Sequence, residues 1–191
     1  MKTDYCINVW PLEHGGRVKA LAMLTINDAI TVFPLLVEEG KSGLGFSLRG
    51  TKLGKKEEKP TVIIHSQDLK NDLTRAIAAA YHPRKARFYR LQREEEFTVS
   101  CKAFPCEKQP DYMVGSAEII INGGMRILGI RMFQSTSGKC VTIFPEKQVR
   151  ENGEYVFKPI VGFKYNWDDI ITKKLWQAYD KAIENKHRER R

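Results

Sequence analysis

The sequence predicts an α+β protein of two tandem modules, each an antiparallel sheet of about five strands closed by a C-terminal helix. Three observations lead there. The chain repeats itself without a gap, because Lys19–Leu48 can be laid on Val114–Ile143. Apolar and polar residues alternate over short runs bounded by turn residues, which is the strand pattern. Each half then ends in a longer stretch with apolar residues at helical spacing. In the repeat, Ala22 meets Ala117, Ile26-Asn27 meets Ile121-Asn122, and Ser42-Gly43 meets Ser137-Gly138. Leu24 meets Ile119, Ile30 meets Met125, Val32 meets Ile127, Phe46 meets Val141, and Leu48 meets Ile143. A repeat of this kind marks duplicated supersecondary units, so the modules are read as residues 1–93 and 94–191.

The elements follow in order. Cys6–Trp10 and Val18–Ile26 read as strands, and Asn27-Asp28 as a two-residue hairpin turn, because Asn and Asp tolerate positive φ. Ala29–Glu38 returns, Gly40–Gly43 turns, and Leu44–Leu48 is a further strand. A Lys-rich loop, Arg49–Lys59, leads to the strand Thr61–His65. Ser66 is positioned to cap a helix with Asp68 in its first turn and a stripe of Leu69, Leu73, Ala76, Ile77 and Ala80. Pro83 ends it. The second half repeats the order with strands Val99–Phe104, Tyr112–Ile121, Met125–Phe133 and Cys140–Phe144. Asn122-Gly123 is its hairpin turn, and a loop through Asn152-Gly153 leads to Tyr155–Val161. Asn166 caps the last helix, with Asp168 and Asp169 in its first turn and Ile171, Leu175, Ala178, Tyr179 and Ala182 as its stripe.

Composition bounds the function. The 191 residues allow one domain or two small ones, and 42% hydrophobic residues suffice for a core. The net charge of +9 and pI near 9.4 point to polyanionic partners. The longest largely apolar stretch, Ala29–Val37, falls well short of the ~20 residues that cross a bilayer. The N-terminus carries no apolar signal core. Cys6, Cys101, Cys106 and Cys140 then read as reduced thiols of a cytoplasmic protein, serving as small buried hydrophobes. Cys101 and Cys106 have the wrong spacing for a zinc knuckle. His14, His65, His82 and His187 show no ligand spacing. No nucleophile–base order, Walker-type loop or glycine fingerprint occurs, and Gly40-Lys41-Ser42-Gly43 reads as a turn. The expectation is a protein with no enzymatic activity, no cofactor and no metal. Trp10, Trp167 and Trp176 read as core or interface anchors.

Two kinds of basic segment are candidate nucleic-acid contacts. The loop after the fourth strand holds Arg49, Lys52, Lys55 and Lys56, with the thinner counterpart Lys147 and Arg150. The segment after the first helix holds Arg84, Lys85, Arg87 and Arg90, interleaved with Phe88 and Tyr89. Lysine and arginine there would neutralise phosphates, and the aromatics would stack on unpaired bases. The competing reading is a solvated linker helix muted by Glu94-Glu95-Glu96.

Each half also resembles SpoVG, the stage V sporulation protein G family of small bacterial regulators. In the first half the likeness runs through Val18–Ile26 with Ile30-Thr31-Val32, then Gly43–Leu48 and the basic loop, and the helix end Ala79-Ala80-Tyr81-His82. In the second half it runs through Gly138–Pro145, Asn152-Gly153-Glu154-Tyr155, Lys158-Pro159-Ile160 and Ala178-Tyr179. The resemblance implies single modules that dimerise and bind nucleic acid, partly through a proline-serine-lysine-arginine segment after the fourth strand. Here Arg49-Gly50-Thr51-Lys52 stands in that place and keeps the final charge at Lys52. In the second half Pro145-Glu146-Lys147-Gln148 keeps the proline and Lys147. Fusing two copies would turn the family's isologous dimer contact into an intramolecular one, giving an intrachain pseudo-dimer as a monomer or within a higher homo-oligomer.

The leading expectation is a non-enzymatic DNA- or RNA-binding regulator. The alternative is a phage or mobile-element inhibitor that contacts a host defence complex, such as a CRISPR effector nuclease, through protein or guide RNA. A plain interaction module with no nucleic acid partner is the third.

Overall fold

The computed structural model describes residues 2–13, 16–41, 43–48, 60–106 and 112–189. Its first sheet takes β1 (Lys2–Pro11), β2 (Val18–Ile26), β3 (Ile30–Gly40) and β4 (Gly43–Ser47) from the start of the chain. After β5 (Val62–Ile64) and helix α1 (Gln67–Ala80) comes β6 (Arg87–Glu96). The second sheet takes β7 (Val99–Pro105), β8 (Met113–Ile121), β9 (Met125–Gln134) and β10 (Cys140–Ile143). The hairpin β11 (Glu146–Glu151) and β12 (Glu154–Pro159) follows, then β13 (Val161–Phe163) and helix α2 (Trp167–Glu189). The molecule is therefore α+β with antiparallel sheets. No helix among the described residues is long and apolar enough to cross a membrane.

The first sheet has the order β13-β3-β2-β1-β6, with β4 also on β3, and the second has β10-β9-β8-β7, with β5 on β9. Each half thus lends a three-residue strand to the other half's sheet. Val62 and Ile64 of β5 face Ile127 and Met125, while Val161 and Phe163 of β13 face Val32 and Ile30. Corresponding backbone bonds flank the two exchanges. Leu128 N donates to Thr61 O at 2.7 Å, and Phe33 N donates to Ile160 O at 2.9 Å. His65 N donates to Gly124 O at 2.8 Å, and Lys164 N donates to Ala29 O at 2.9 Å.

The central hairpins repeat one another in detail. The register of β2 on β3 shifts between Val18 and Ala20 and between Ala22 and Leu24. That of β8 on β9 shifts between Met113 and Gly115 and between Ala117 and Ile119, the positions aligned with those by the sequence repeat. A bulge inserts an extra residue and bends the strand. Both turns use positive φ, at Asn27 (48°) and Asp28 (52°) and at Asn122 (49°) and Gly123 (64°). In both, the Asn side chain closes the turn on the preceding strand: Asp4 N donates to Asn27 Oδ1 at 2.6 Å, and Thr98 N to Asn122 Oδ1 at 2.8 Å.

Each helix covers one sheet face. The α1 stripe is buried as the spacing predicts, at Leu69, Leu73, Ala76, Ile77 and Ala80. Ser66 Oγ accepts from Leu69 N at 3.2 Å and caps it. Ser66→Ala is expected to cost about 1 kcal/mol in urea unfolding, the usual worth of a serine cap. In α2 the stripe is only partly covered. Ile171 and Leu175 are buried, while Ala178 and Tyr179 pack half-exposed. The reason is position: the last turns of this 23-residue helix lie beyond the apolar face they would need. Tyr179 explains one glycine. A Cβ on Gly115 would lie 2.8 Å from Phe104 O and 3.3 Å from Tyr179 Cε2, so β7, β8 and α2 close on each other only because that atom is missing.

Three expectations change. Residues Arg87–Glu96 are not a linker or a helix; they form β6, a full edge strand on β1 that runs across the 93/94 division. Residues 146–151 are not loop but strand β11. The thiols are free, but Cys106 and Cys140 are exposed rather than buried.

Candidate nucleic-acid interface

Arg49, Lys52, Lys55 and Lys56 lie outside the described residues. The other candidate cations fall on two separate surfaces. Arg84 and Lys85 sit in the turn after α1, and Arg87 and Arg90 on β6, and all four are exposed. The second surface is the β11–β12 hairpin, where Lys147 faces Lys158 and Arg150 faces Tyr155.

Strand alternation sorts the first group. Thr3, Tyr5, Ile7 and Val9 of β1 are buried under α1, and they oppose Arg93, Leu91, Tyr89 and Arg87 of β6. Asp4, Cys6 and Asn8 point to the other face and oppose Gln92, Arg90 and Phe88. Phe88 and Tyr89 therefore stand on opposite faces and do not form one stacking pair.

The acids near β6 are used selectively. Arg90 donates to Asp4, Arg93 pairs with Asp72 and Glu95, and Lys2 pairs with Glu94. Tyr5 OH donates to Glu95 Oε1 at 2.7 Å, and Asn122 Nδ2 donates to the same oxygen at 3.2 Å. Glu95 thus joins the first sheet's edge to the second half's hairpin turn and, within the basic segment, takes up the charge of Arg93. Burial first, then Glu95, pushes the Tyr5 hydroxyl well above its usual range. Arg84, Lys85 and Arg87 have no acidic partner among the described residues. Glu13 lines the same shallow cleft as Arg84 without pairing with it.

On the hairpin, the Arg150 guanidinium lies 6.0 Å from the Tyr155 ring centre, and its Nε donates to Gly153 O. Tyr155 and Phe157 are 68% and 65% exposed, which leaves two large rings on one side of a bare ribbon. Lys158 pairs with Glu151. The turn Asn152-Gly153 has φ of 50° and 89°, the sequence signal of a tight hairpin.

Two exposed ion pairs carry pH dependence. The Arg90 hydrogen bond holds the Asp4 carboxyl below its usual range, and Lys164 does the same for Asp28. A depressed carboxylate pKa stabilises above the unfolded value, and that stability disappears as pH falls through the folded one. Both pairs therefore weaken on acidification below the ordinary carboxylate range. Among the thiols, burial pushes Cys101 up to about 11. With a thiol-specific reagent near neutral pH, Cys106 and Cys140 are expected to label first and Cys101 last, because the thiolate is the nucleophile. Rapid labelling of Cys101 in the folded protein would contradict its placement under α2.

Sequence reasoning read Trp10 as a core or interface anchor and did not single out Phe33, and both stand on the open face. Trp10 is 40% exposed and meets Phe33, 37% exposed, edge to face at 6.1 Å. The signal was present in β1, where Trp10 stands in phase with Asp4, Cys6 and Asn8 rather than with Tyr5, Ile7 and Val9. Trp167 and Trp176 behave as anchors, Trp167 against Phe97 and Trp176 donating to Thr142 Oγ1 at 3.1 Å. Among the described residues no three His, Cys, Asp or Glu gather into a metal group. Compared with protein-family models, curated proteins and solved structures, the chain matches none.

Proposed function

We propose that this protein is a non-enzymatic, cytoplasmic nucleic-acid-binding regulator of SpoVG type, in which two diverged modules form a pseudo-dimer within one polypeptide. The reciprocal loan of β5 and β13 supports the pseudo-dimer, because a symmetric dimer that exchanges strands would give these paired ladders. The repeated bulges and Asn-closed turns support common descent of the halves. One observation carries the nucleic-acid reading: Arg84, Lys85 and Arg87 form an exposed basic ridge with no acid taking up their charge among the described residues. Such a ridge binds phosphate without needing sequence. The hairpin, with Lys147 and Arg150 beside Tyr155, is a second contact point.

The test is titration of labelled single- and double-stranded DNA and RNA at two salt concentrations. Binding is expected to weaken as salt rises, by about one unit of slope per neutralised phosphate. Failure to bind any of them at low salt discards the reading. Capture of one defined protein from a nuclease-treated bacterial lysate, with no nucleic-acid binding, would replace it with an inhibitor of a protein complex.

A further inference from the structure

We propose that the open face of the first sheet is a stacking platform for unpaired bases, so that the protein prefers single-stranded nucleic acid at this face. The proposal rests on the nucleic-acid reading above and assigns it a ligand class and a site.

Among the described residues, the first sheet has α1 on one face and no helix on the other. Across the other face runs a band of apolar and aromatic side chains set nearly at right angles to the strands. Phe88 on β6 opposes Asn8 on β1, and Trp10 stands one step along the same face. Trp10 opposes Leu21, and Asn8 opposes Met23, both on β2. Phe33 sits on β3 at the register shift beside Met23 and meets Trp10. Phe88 is 58% exposed, so all three rings lie open to solvent. Diagonal neighbours across strands are roughly 7–8 Å apart, a span that successive bases laid over the sheet can bridge. An open sheet face bearing a few aromatics is a recurrent way to hold splayed bases, because every base offers a π face.

Charge selects the occupant. Arg84 lines a cleft with Pro11, Leu12 and Glu13 just past Trp10, and Arg90 stands two residues from Phe88 on the same face. Asp4 takes part of the Arg90 charge, and Lys19 is paired with Glu39 at 3.0 Å. With Arg84 and the adjacent Lys85 against the single carboxylate of Glu13, this end of the chain segment keeps a net positive charge, which suits a phosphate backbone passing the rings.

The second sheet shows the contrast. At the positions aligned with Met23 and Thr31 stand Glu118 and Arg126, which form an ion pair with Glu118 buried. Lys102, opposite Glu118, leans over Phe104 at 5.4 Å. That face is occupied by its own charges, so the platform belongs to the first sheet alone.

The experiment measures affinity of the full chain for oligo(dT), oligo(U) and a duplex of matched length, with tryptophan emission as a second signal. Trp10→Ala and Phe88→Ala are each expected to weaken single-strand binding by about tenfold and leave duplex binding unchanged. Trp10→Phe is expected to keep most of the affinity. Binding of oligo(U) to the unmodified protein is expected to quench its emission, and the quench disappears in Trp10→Phe. Unchanged single-strand affinity in both alanine variants overturns the platform and leaves the ionic reading standing. No binding of any nucleic acid overturns both. A second copy on this face, read as a dimer that Trp10→Ala dissociates in sedimentation, also overturns it.

Discussion

Replacing Arg84, Lys85 and Arg87 together by alanine is expected to reduce the salt slope of nucleic-acid binding by about three units, one for each phosphate left without its cation. Referred to 1 M salt, at ~0.1 M this corresponds to an affinity roughly several hundredfold weaker, uniformly across sequences and across DNA and RNA. The uniformity is the discriminating feature. Backbone contacts position the ligand and carry no sequence information, whereas weakening at base contacts would depend on sequence. The three side chains are exposed, and none is paired among the described residues, so thermal stability is expected to stay unchanged. A companion variant at Arg93 serves as the contrast. Arg93 is held by Asp72 and Glu95, so its removal is expected to affect folding more than binding. If the triple variant binds as tightly as the parent with the same slope, nucleic acid does not touch the ridge.

The second large effect is on folding. Leu73 of α1 and Leu175 of α2 are each fully buried. Truncating either to alanine is expected to cost about 2–5 kcal/mol, the transfer term plus the cavity left behind. The fold also fixes how that destabilisation shows itself. Because β5 lies in the second sheet and α1 on the first, each strand-and-helix segment bridges both sheets. Leu73→Ala and Leu175→Ala are therefore expected to shift one shared unfolding transition. Tryptophan emission and far-ultraviolet circular dichroism would follow it together. Two separated transitions, each moved by only one variant, would show halves that fold independently.

Much of the local structure was legible in the chain. The β2 bounds, the stripe of α1 with its Ser66 cap, and the turns at Asn27 and Asn122 all follow from short-range chemistry: alternation, helical spacing, and residues that tolerate positive φ. Two segments were not legible for a physical reason. Arg87–Glu96 is so polar that its sequence reads as a solvated helix or linker. It becomes a strand because the edge of β1 offers unpaired backbone groups, and those bonds do not depend on side-chain type. Residues 146–151 carry charge on both faces, and become β11 because Asn152-Gly153 folds β12 back on them.

The duplicated pattern, the basic balance and the placement of core stripes were set by the order of residues alone, since each depends on neighbours a few positions apart. The partner of each three-residue strand was decided elsewhere. Val62–Ile64 and Val161–Phe163 are too short to choose a sheet by their own pattern. They pair with the other half because that is where an open ladder and a buried apolar face meet them. Long-range pairing of β6 on β1 likewise puts Phe88 beside Asn8 and next to Trp10, residues far apart in the chain, and so creates the open aromatic face proposed as the stacking platform.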